Sequence, residues 1–288
     1  MAKLWWTNAD ADNDGNNGDN WNTAEDGSGS SGSVPTTGDD ACFSDTASSD
    51  NCTLSGNLTC DNIYFDNADT GGTDDYSGTF DSGASDLTIS GEIVTASVTS
   101  FDFGSGNHSI AQTDLYGTID FGSCTITSDT RIDFSSATSV TIGTSTFVMS
   151  AGTFDPKSST DVNDLTITGT VTAGNSISVA GTLDVQVGGD LQWTGPLSVT
   201  VKSGLTLNGT LTSAGSGKLY WRSASAFPST GTVDCVVWFY DGTSVISART
   251  FGQTVNFKTD STTTYTFGAG SFTFNGEQFV VDSDVTMD

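Results

Sequence analysis

The chain has 288 residues, 34 of them glycine and only 15% charged, and it is rich in Ser, Thr, Asp and Asn, which favour turns and strand surfaces over helices. Its 8 Lys and Arg against 35 Asp and Glu give a formal charge of -27, which excludes binding to nucleic acid phosphates and disfavours anionic lipid surfaces. We therefore expect an all-β protein. No apolar run approaches the length of a membrane-spanning helix, so no membrane insertion is expected.

Residues 1–45 differ from the rest and predict an N-terminal cap. Trp5, Trp6 and Trp21 bracket a run of Asp, Asn and Gly, and a Gly/Ser stretch leads to Pro35. Large aromatic side chains are normally buried, and a repeat array needs a different end piece to cover its apolar cross-section. The start lacks a charged segment followed by an apolar one, so we expect no secretory signal peptide.

The segment DADNDG, residues 10–15, offers candidate calcium ligands. Asp10, Asp12 and Asp14 alternate before Gly15, as hard oxygen ligands do in the first half of a calcium loop. The position where a bidentate Glu is expected holds Trp21. A solvated turn explains the same residues, and both interpretations stay open; no other cofactor is expected.

Residues 46–217 predict β-helical repeats. Between Leu165 and Leu211 the large apolar residues occupy odd positions, a period of two that indicates strands with one buried face. Glycines recur at a constant interval, at Gly91, Gly117, Gly143, Gly169 and Gly195. This interval predicts a β-solenoid, a parallel β-helix with about 26 residues per coil. Two β-sandwich or jelly-roll domains are the alternative.

Residues 218–288 form a third part, richer in aromatic residues. The phase of Trp193 and Trp221 places both in the core. The run VVWFY at 236–240 cannot face wholly inward, so we expect Trp238 and Tyr240 to contact a partner subunit or a glycan.

No catalytic signature stands out, and no catalytic residue or enzyme activity is expected. Asp114, Asp120 and Asp133 would fall within one coil, but such groups arise by density alone in an Asp-rich chain. His108 is the only histidine and has no Ser or Cys partner motif around it. The cysteines show no zinc-ligand spacing, which predicts reduced thiols in the core, at Cys42, Cys52, Cys60, Cys124 and Cys235.

The order of motifs in the first 45 residues resembles a group of tailed-bacteriophage virion proteins that open with an aromatic cap before β-helical repeats. The pieces are LWW (4–6), NW (20–21), SGSVPT (31–36) and DDACFSD (39–45). The chain departs from that group where a Gly-rich turn is usual, and has DADNDGNNGD there.

The resemblance implies a non-enzymatic virion structural protein, namely a tail fibre, a spike or a capsid decoration protein. Such a chain would be made in the host cytoplasm and displayed on the particle surface. Its partners would be other virion proteins and further copies of itself, with a trimer as one candidate. One alternative is a tailspike that binds or depolymerises a bacterial surface glycan. Another is a bacterial surface adhesin or filament subunit, against which the absent signal peptide counts.

Overall fold

The computed structural model describes residues 2–71, 74–240, 245–246, 250–258, 263–267, 273–274, 279–281 and 285–287. Among these residues the helical segments are a 3-10 turn, Gly18–Asn20, and one four-residue helix, α1 (Asn67–Thr70). The remaining elements are strands, so the all-β prediction is confirmed. The chain divides into two compact units, Met1–Phe147 and Val148–Asp288.

The first unit is built from short strands, and the last of them crosses the unit boundary. They are β1 (Ala2–Trp6), β2 (Trp21–Asn22), β3 (Asp39–Cys42), β4 (Cys52–Thr53), β5 (Leu58–Cys60), β6 (Asn62–Tyr64), β7 (Thr79–Asp81), β8 (Leu87–Val94), β9 (Ser100–Asp102), β10 (Asn107–Asp114), β11 (Thr118–Asp120), β12 (Thr125–Ser128), β13 (Arg131–Asp133), β14 (Ser139–Thr141) and β15 (Thr146–Met149).

Each coil of the first unit contributes to three parallel ladders. One ladder stacks β4, β7, β9, β11 and β14. A second stacks β5, the first halves of β8 and β10, and β12. The third stacks β3, β6, the second halves of β8 and β10, and β13. Three parallel ladders joined coil by coil make a parallel β-helix.

The second unit repeats this plan. Its strands are β16 (Gly152–Asp155), β17 (Asp161–Val162), β18 (Asp164–Ile167), β19 (Thr170–Ala173), β20 (Ile177–Val179), β21 (Thr182–Val185), β22 (Asp190–Thr194), β23 (Ser198–Val201), β24 (Gly204–Leu207), β25 (Thr210–Ala214), β26 (Lys218–Trp221), β27 (Thr232–Asp234), β28 (Val236–Tyr240), β29 (Val245–Ile246), β30 (Thr250–Phe251), β31 (Val255–Lys258), β32 (Thr263–Phe267), β33 (Thr273–Phe274), β34 (Phe279–Val281) and β35 (Val285–Met287).

One parallel ladder of the second unit runs through β17, β20, β23, β26, β28, β31 and β34. Another runs through β16, β19, β22, β25, β27, β30 and β33. The third face holds β18, β21 and β24, and further along β29, β32 and β35. The first ladder passes residue 217 without a break, so that predicted boundary marks a change of composition within one fold.

The parallel registers confirm the β-solenoid and exclude the sandwich alternative, whose sheets are antiparallel. The predicted coil length is wrong, because the coils are unequal: the step from Leu58 to Leu87 is longer than the glycine interval, and most later steps are shorter. Leu183 pairs with Leu165 on one side and with Leu205 on the other, and these two steps along the chain differ in length. The coils differ because their corners differ, so glycines at one fixed interval do not fall at equivalent corners.

The core is a column of stacked side chains, as the alternating pattern predicts. Leu165, Ile167 and Val171 are fully buried, and Trp193 and Trp221 are buried as expected. Among the odd apolar positions Leu197 and Leu205 are half-buried, and Val187 departs furthest from the pattern, at 83% exposed. It lies in the turn after β21, next to Gly188 at φ +86°, where the strand alternation has ended.

The N-terminal segment closes the end of the first unit. β1 pairs in parallel with β3 and antiparallel with the two-residue β2, so the described edge of this ladder is short, which limits pairing with another chain. Trp6 and Trp21 are fully buried, with ring centroids 5.6 Å apart, and Trp21 lies 5.5 Å from Phe43. The cap is therefore packed onto the first coil.

Candidate functional site

The outer surface of β26 and β28 carries the strongest cluster of binding-type side chains in the described chain. Inward positions of the two strands hold Leu219, Trp221, Val237 and Phe239, all buried. Because side chains alternate along a strand, the positions between them face outward. These hold Lys218, Tyr220, Trp238 and Tyr240, which are half-buried. Arg222 follows β26 directly and is exposed.

We call these five residues, Lys218, Tyr220, Arg222, Trp238 and Tyr240, the aromatic–basic face. Its register sets Tyr220 beside Trp238, and their ring centroids are 5.8 Å apart at 78°. Tyr240 lies 6.1 Å from Tyr220 and 6.1 Å from Trp238, nearly parallel to the latter at 14°. Three rings thus form one contiguous group on the outer surface of these two strands.

Both cations of the face lie over rings. The Lys218 Nζ atom is 4.5 Å from the centroid of Trp238, and the Arg222 Cζ atom is 4.7 Å from the centroid of Tyr240. Such contacts are electrostatic, between the cation and the negative face of the ring. They hold both side chains over the strands while leaving their N–H groups able to donate to another molecule.

In the described part of the chain, two cations outside this face form ion pairs, and their partners are carboxylates. Arg131 pairs with Asp114 and Asp133, and the Lys202 Nζ atom lies 2.7 Å from Asp161. Lys218 and Arg222 have no such ion pair among the described residues, although the chain carries 35 acidic side chains. The face therefore differs from Arg131 and Lys202, because its two cations contact aromatic rings where those two contact carboxylates.

The structure places Trp238 and Tyr240 on the outside of the coil, as their strand phase requires; their role as a contact for a partner or glycan stays a prediction. Sequence reasoning missed Lys218, Tyr220 and Arg222. A signal was present, since five of the eight Lys and Arg residues lie between 202 and 258: Lys202, Lys218, Arg222, Arg249 and Lys258.

The candidate calcium loop is organised by asparagine amides. The Asn17 Nδ2 atom donates to the Asp10 and Asp12 carboxylates at 3.0 and 2.8 Å, and the Asn20 Nδ2 atom donates to Asp12 at 2.5 Å. The Asp14 N–H donates to Asp12 at 2.9 Å. These hydrogen bonds, that of the Asp14 amide first, lower the pKa of Asp12.

No group of three acidic, His or Cys side chains is arranged to hold a metal ion within the described ranges. The calcium interpretation of Asp10, Asp12 and Asp14 stays a prediction. A calcium-dependent rise in melting temperature that disappears when the three are replaced by Asn would support it. The same melting temperature with and without calcium would exclude it.

A second polar region lies on the first unit, around a groove of about 330 Å³ lined in part by Asn62, Glu92 and Gln112. The Gln112 Nε2 atom donates to Glu92 at 3.1 Å and to Asp114 at 3.3 Å. Burial raises the pKa of Asp114, and the nearby Arg131 opposes that rise. Asp114 pairs in register with Asp133, so two of the three acids noted in the sequence are neighbours.

The third of those acids, Asp120, lies on a different ladder, beside Asp102 and Thr141. Its carboxylate accepts the Gly122 N–H at 2.8 Å, as Asp102 accepts the Gly104 N–H at 2.7 Å. These aspartates stabilise corners of the coil, which gives them a structural role.

His108 and the cysteines are structural as well. The His108 Nδ1 atom accepts the Leu87 N–H at 3.2 Å, and Nε2 lies 2.8 Å from the Phe103 carbonyl oxygen. The five cysteines are buried and form no disulfide, as predicted.

No protein-family model matches this chain, and no curated protein or solved structure matches it either. Within the described residues, no helix is long and apolar enough to cross a membrane.

Proposed function

We propose that this chain is a non-enzymatic structural protein of a tailed-bacteriophage particle, a surface-displayed tail fibre, spike or capsid decoration protein. The observation that carries the proposal is the continuity of the parallel ladders within each unit around an apolar column. Such a column, filled by close-packed side chains, is a stiff element, and stiffness is what a displayed fibre or spike requires.

The phage assignment is supported by the aromatic, NW and VPT motifs of the first 45 residues, which build the packed cap. Trp6 and Trp21, two members of those motifs, are fully buried in it. The partners proposed are other virion proteins and further copies of the chain. The negative charge of -27 keeps such a β-rich surface soluble and discourages pairing between strand edges.

Immunogold labelling of gradient-purified particles from the source of the chain tests the proposal. We expect antibodies against the folded protein to label one class of site on the particle, such as the tail or the capsid. Label confined to cell envelopes or to the soluble fraction would contradict the proposal and favour the adhesin or filament alternative.

A depolymerising tailspike is the second candidate, favoured by the groove beside Glu92, Gln112 and Asp114. A raised pKa is what a general acid needs for glycoside cleavage, and Asp114 has one. Its ion pair with Arg131 at 3.0 Å opposes that role, because a paired carboxylate holds its proton less readily.

A reducing-end assay on purified host capsule or lipopolysaccharide separates the two candidates. The structural proposal predicts no new reducing ends with the wild-type protein. Release of oligosaccharide by the wild type, lost in Asp114→Asn, would replace the structural proposal with the enzymatic one.

A further inference from the structure

The cations of the aromatic–basic face stand out against the charge of the chain. Lys and Arg are outnumbered 8 to 35 by Asp and Glu, and both Arg131 and Lys202 pair with carboxylates. Lys218 and Arg222 instead contact Trp238 and Tyr240, at 4.5 and 4.7 Å from the ring centroids. A positive region of this kind attracts anions that the rest of the surface repels.

The two cations have complementary chemistry. Arg222 carries a planar guanidinium that can donate two parallel hydrogen bonds to one carboxylate, and Lys218 carries a compact ammonium with three donors. Each lies over a ring that restricts its motion, so less side-chain entropy is lost when an anion binds. The face is therefore arranged in advance for carboxylate groups.

The rings supply the second requirement for a saccharide ligand. Trp238 and Tyr240 are nearly parallel, at 14°, with centroids 6.1 Å apart, and Tyr220 stands across both at 78° and 66°. All three are half-buried, with an apolar ring body and a polar tip. The apolar C–H face of a sugar ring packs on such surfaces while its hydroxyls stay in water.

The size of the patch argues for a saccharide over a second protein chain. None of the three rings is among the exposed large apolar side chains of the described surface. The face therefore offers little apolar area for a second protein chain to bury. A stable protein interface buries about 800 Å² on each partner and has an apolar centre. Three half-buried rings with two flanking cations match a short stretch of polymer.

We propose that the aromatic–basic face binds an acidic polysaccharide, with Lys218 and Arg222 pairing with its carboxylates and Tyr220, Trp238 and Tyr240 packing against its sugar rings. This inference deepens the proposed function, because a displayed protein with such a face would attach to an acidic surface glycan. The binding itself is a property of the face and does not depend on where the chain resides.

Calorimetric titration of the purified full chain with a hexamer of galacturonic acid tests the proposal. The matched control ligand is the methyl ester of the same hexamer, which keeps the sugar rings and removes the negative charges. We expect the acid to bind, the ester to bind at least about tenfold more weakly, and affinity for the acid to fall as salt is raised. Equal affinity for the two ligands, or no binding of either, would overturn the proposal.

Variants locate the binding on the face. Arg222→Gln alters an exposed side chain and should preserve the fold, and Lys218→Gln removes the second charge. We expect each to weaken binding of the acid by about threefold to tenfold and Trp238→Ala to weaken it further. Lys3→Gln removes the same charge from the first unit and should bind like the wild type. If the face variants bind like Lys3→Gln, the proposal fails.

Sedimentation velocity of the same variants tests the competing occupant, a second copy of the chain. The proposal predicts that Arg222→Gln and Trp238→Ala keep the oligomeric state of the wild type. Conversion of an oligomer to a monomer by these changes would make the face a subunit interface and overturn the proposal. Failure to bind the hexamer would leave the particle assignment standing, since immunogold labelling does not depend on a glycan.

Discussion

Gly122 lies so close to Gly104 of the preceding coil that a methyl group on its Cα atom would stand 2.3 Å from the Gly104 carbonyl oxygen. The same relationship links Gly104 to Gly83 and Gly143 to Gly122, and all four glycines have φ between +53° and +60°. Glycine is needed at these positions for two reasons. The backbone conformation is left-handed, and neighbouring coils approach too closely for a side chain. This glycine ladder sets one corner of the first unit.

Gly122→Ala should therefore destabilise the first unit by about 3 kcal/mol or more, the sum of a left-handed alanine and a forced separation of two coils. The matched control is Gly27→Ala, since Gly27 also has positive φ, +72°, but no atom within 4 Å of the added methyl group. The control should cost about 1 kcal/mol. Urea denaturation measures the free energy of unfolding of both variants. Equal losses would show that the close approach of Gly122 to the preceding coil adds nothing to the cost of the substitution.

Asn20 should be a main support of the cap. It is fully buried, its Oδ1 atom accepts the Asp10 N–H at 2.8 Å, and its Nδ2 atom donates to the Asp12 carboxylate and the Asp14 carbonyl oxygen. Asn20→Ala should cost about 2 kcal/mol, because buried polar partners are left unsatisfied. The exposed Asn208 provides the control, and Asn208→Ala should stay within about 0.5 kcal/mol of the wild type by thermal unfolding. No difference between the two would contradict this role.

Stability should fall in mild acid because of His108. Burial lowers the pKa of its imidazole, against weaker opposing effects of the Phe103 carbonyl and Asp86. The unfolded state then binds a proton at a higher pH than the folded state, so the contribution of His108 is complete above about pH 6.5 and declines as the pH falls below that value. Protonation would also add a hydrogen to the His108 Nδ1 atom, which now accepts the Leu87 N–H. This hydrogen bond would then be lost.

The pH effect is measured as the change in urea midpoint between about pH 7.5 and about pH 5. We expect this change to be larger in the wild type than in His108→Gln, in which the remaining carboxylates titrate as before. Identical changes in the two proteins would mean that His108 does not contribute.

The native thiols should resist alkylation. Burial raises the pKa of Cys42, Cys60 and Cys124 to about 12, and the pKa of Cys52 is raised too. Because the thiolate is the nucleophile, iodoacetamide at about pH 8 should label the folded protein about a thousandfold more slowly than the unfolded protein. Mass spectrometry should find all five thiols modified only after denaturation; rapid labelling of the native chain would contradict their burial.

The sequence predicted the strand alternation, the inward Trp193 and Trp221 and the packed cap, because each follows from local periodicity or from the cost of exposing an aromatic ring. It did not predict the coil length. Corners differ in length from coil to coil, and only the strand registers reveal which glycines stack. The D-x-G motifs that begin at Asp81, Asp102 and Asp120 carried that signal, because these three aspartates pair in register on successive coils.

The candidate site was half predicted for a similar reason. The phase of VVWFY put Trp238 and Tyr240 outside, but their neighbours depend on the pairing of β28 with β26, which belongs to the preceding coil. From the sequence alone, nothing places Lys218 and Arg222 beside Trp238 and Tyr240. The calcium interpretation likewise counted carboxylates and left out Asn17 and Asn20, whose amides donate to them.

Quantitative mass spectrometry of gradient-purified, salt-washed particles from the source of the chain is the most direct test of the proposed virion role. We expect peptides of the chain to remain with the particle at a fixed ratio to the other particle proteins, through every wash. Peptides found only in the free fraction, or a ratio that falls with each wash, would contradict the proposal that this β-solenoid is a virion structural protein.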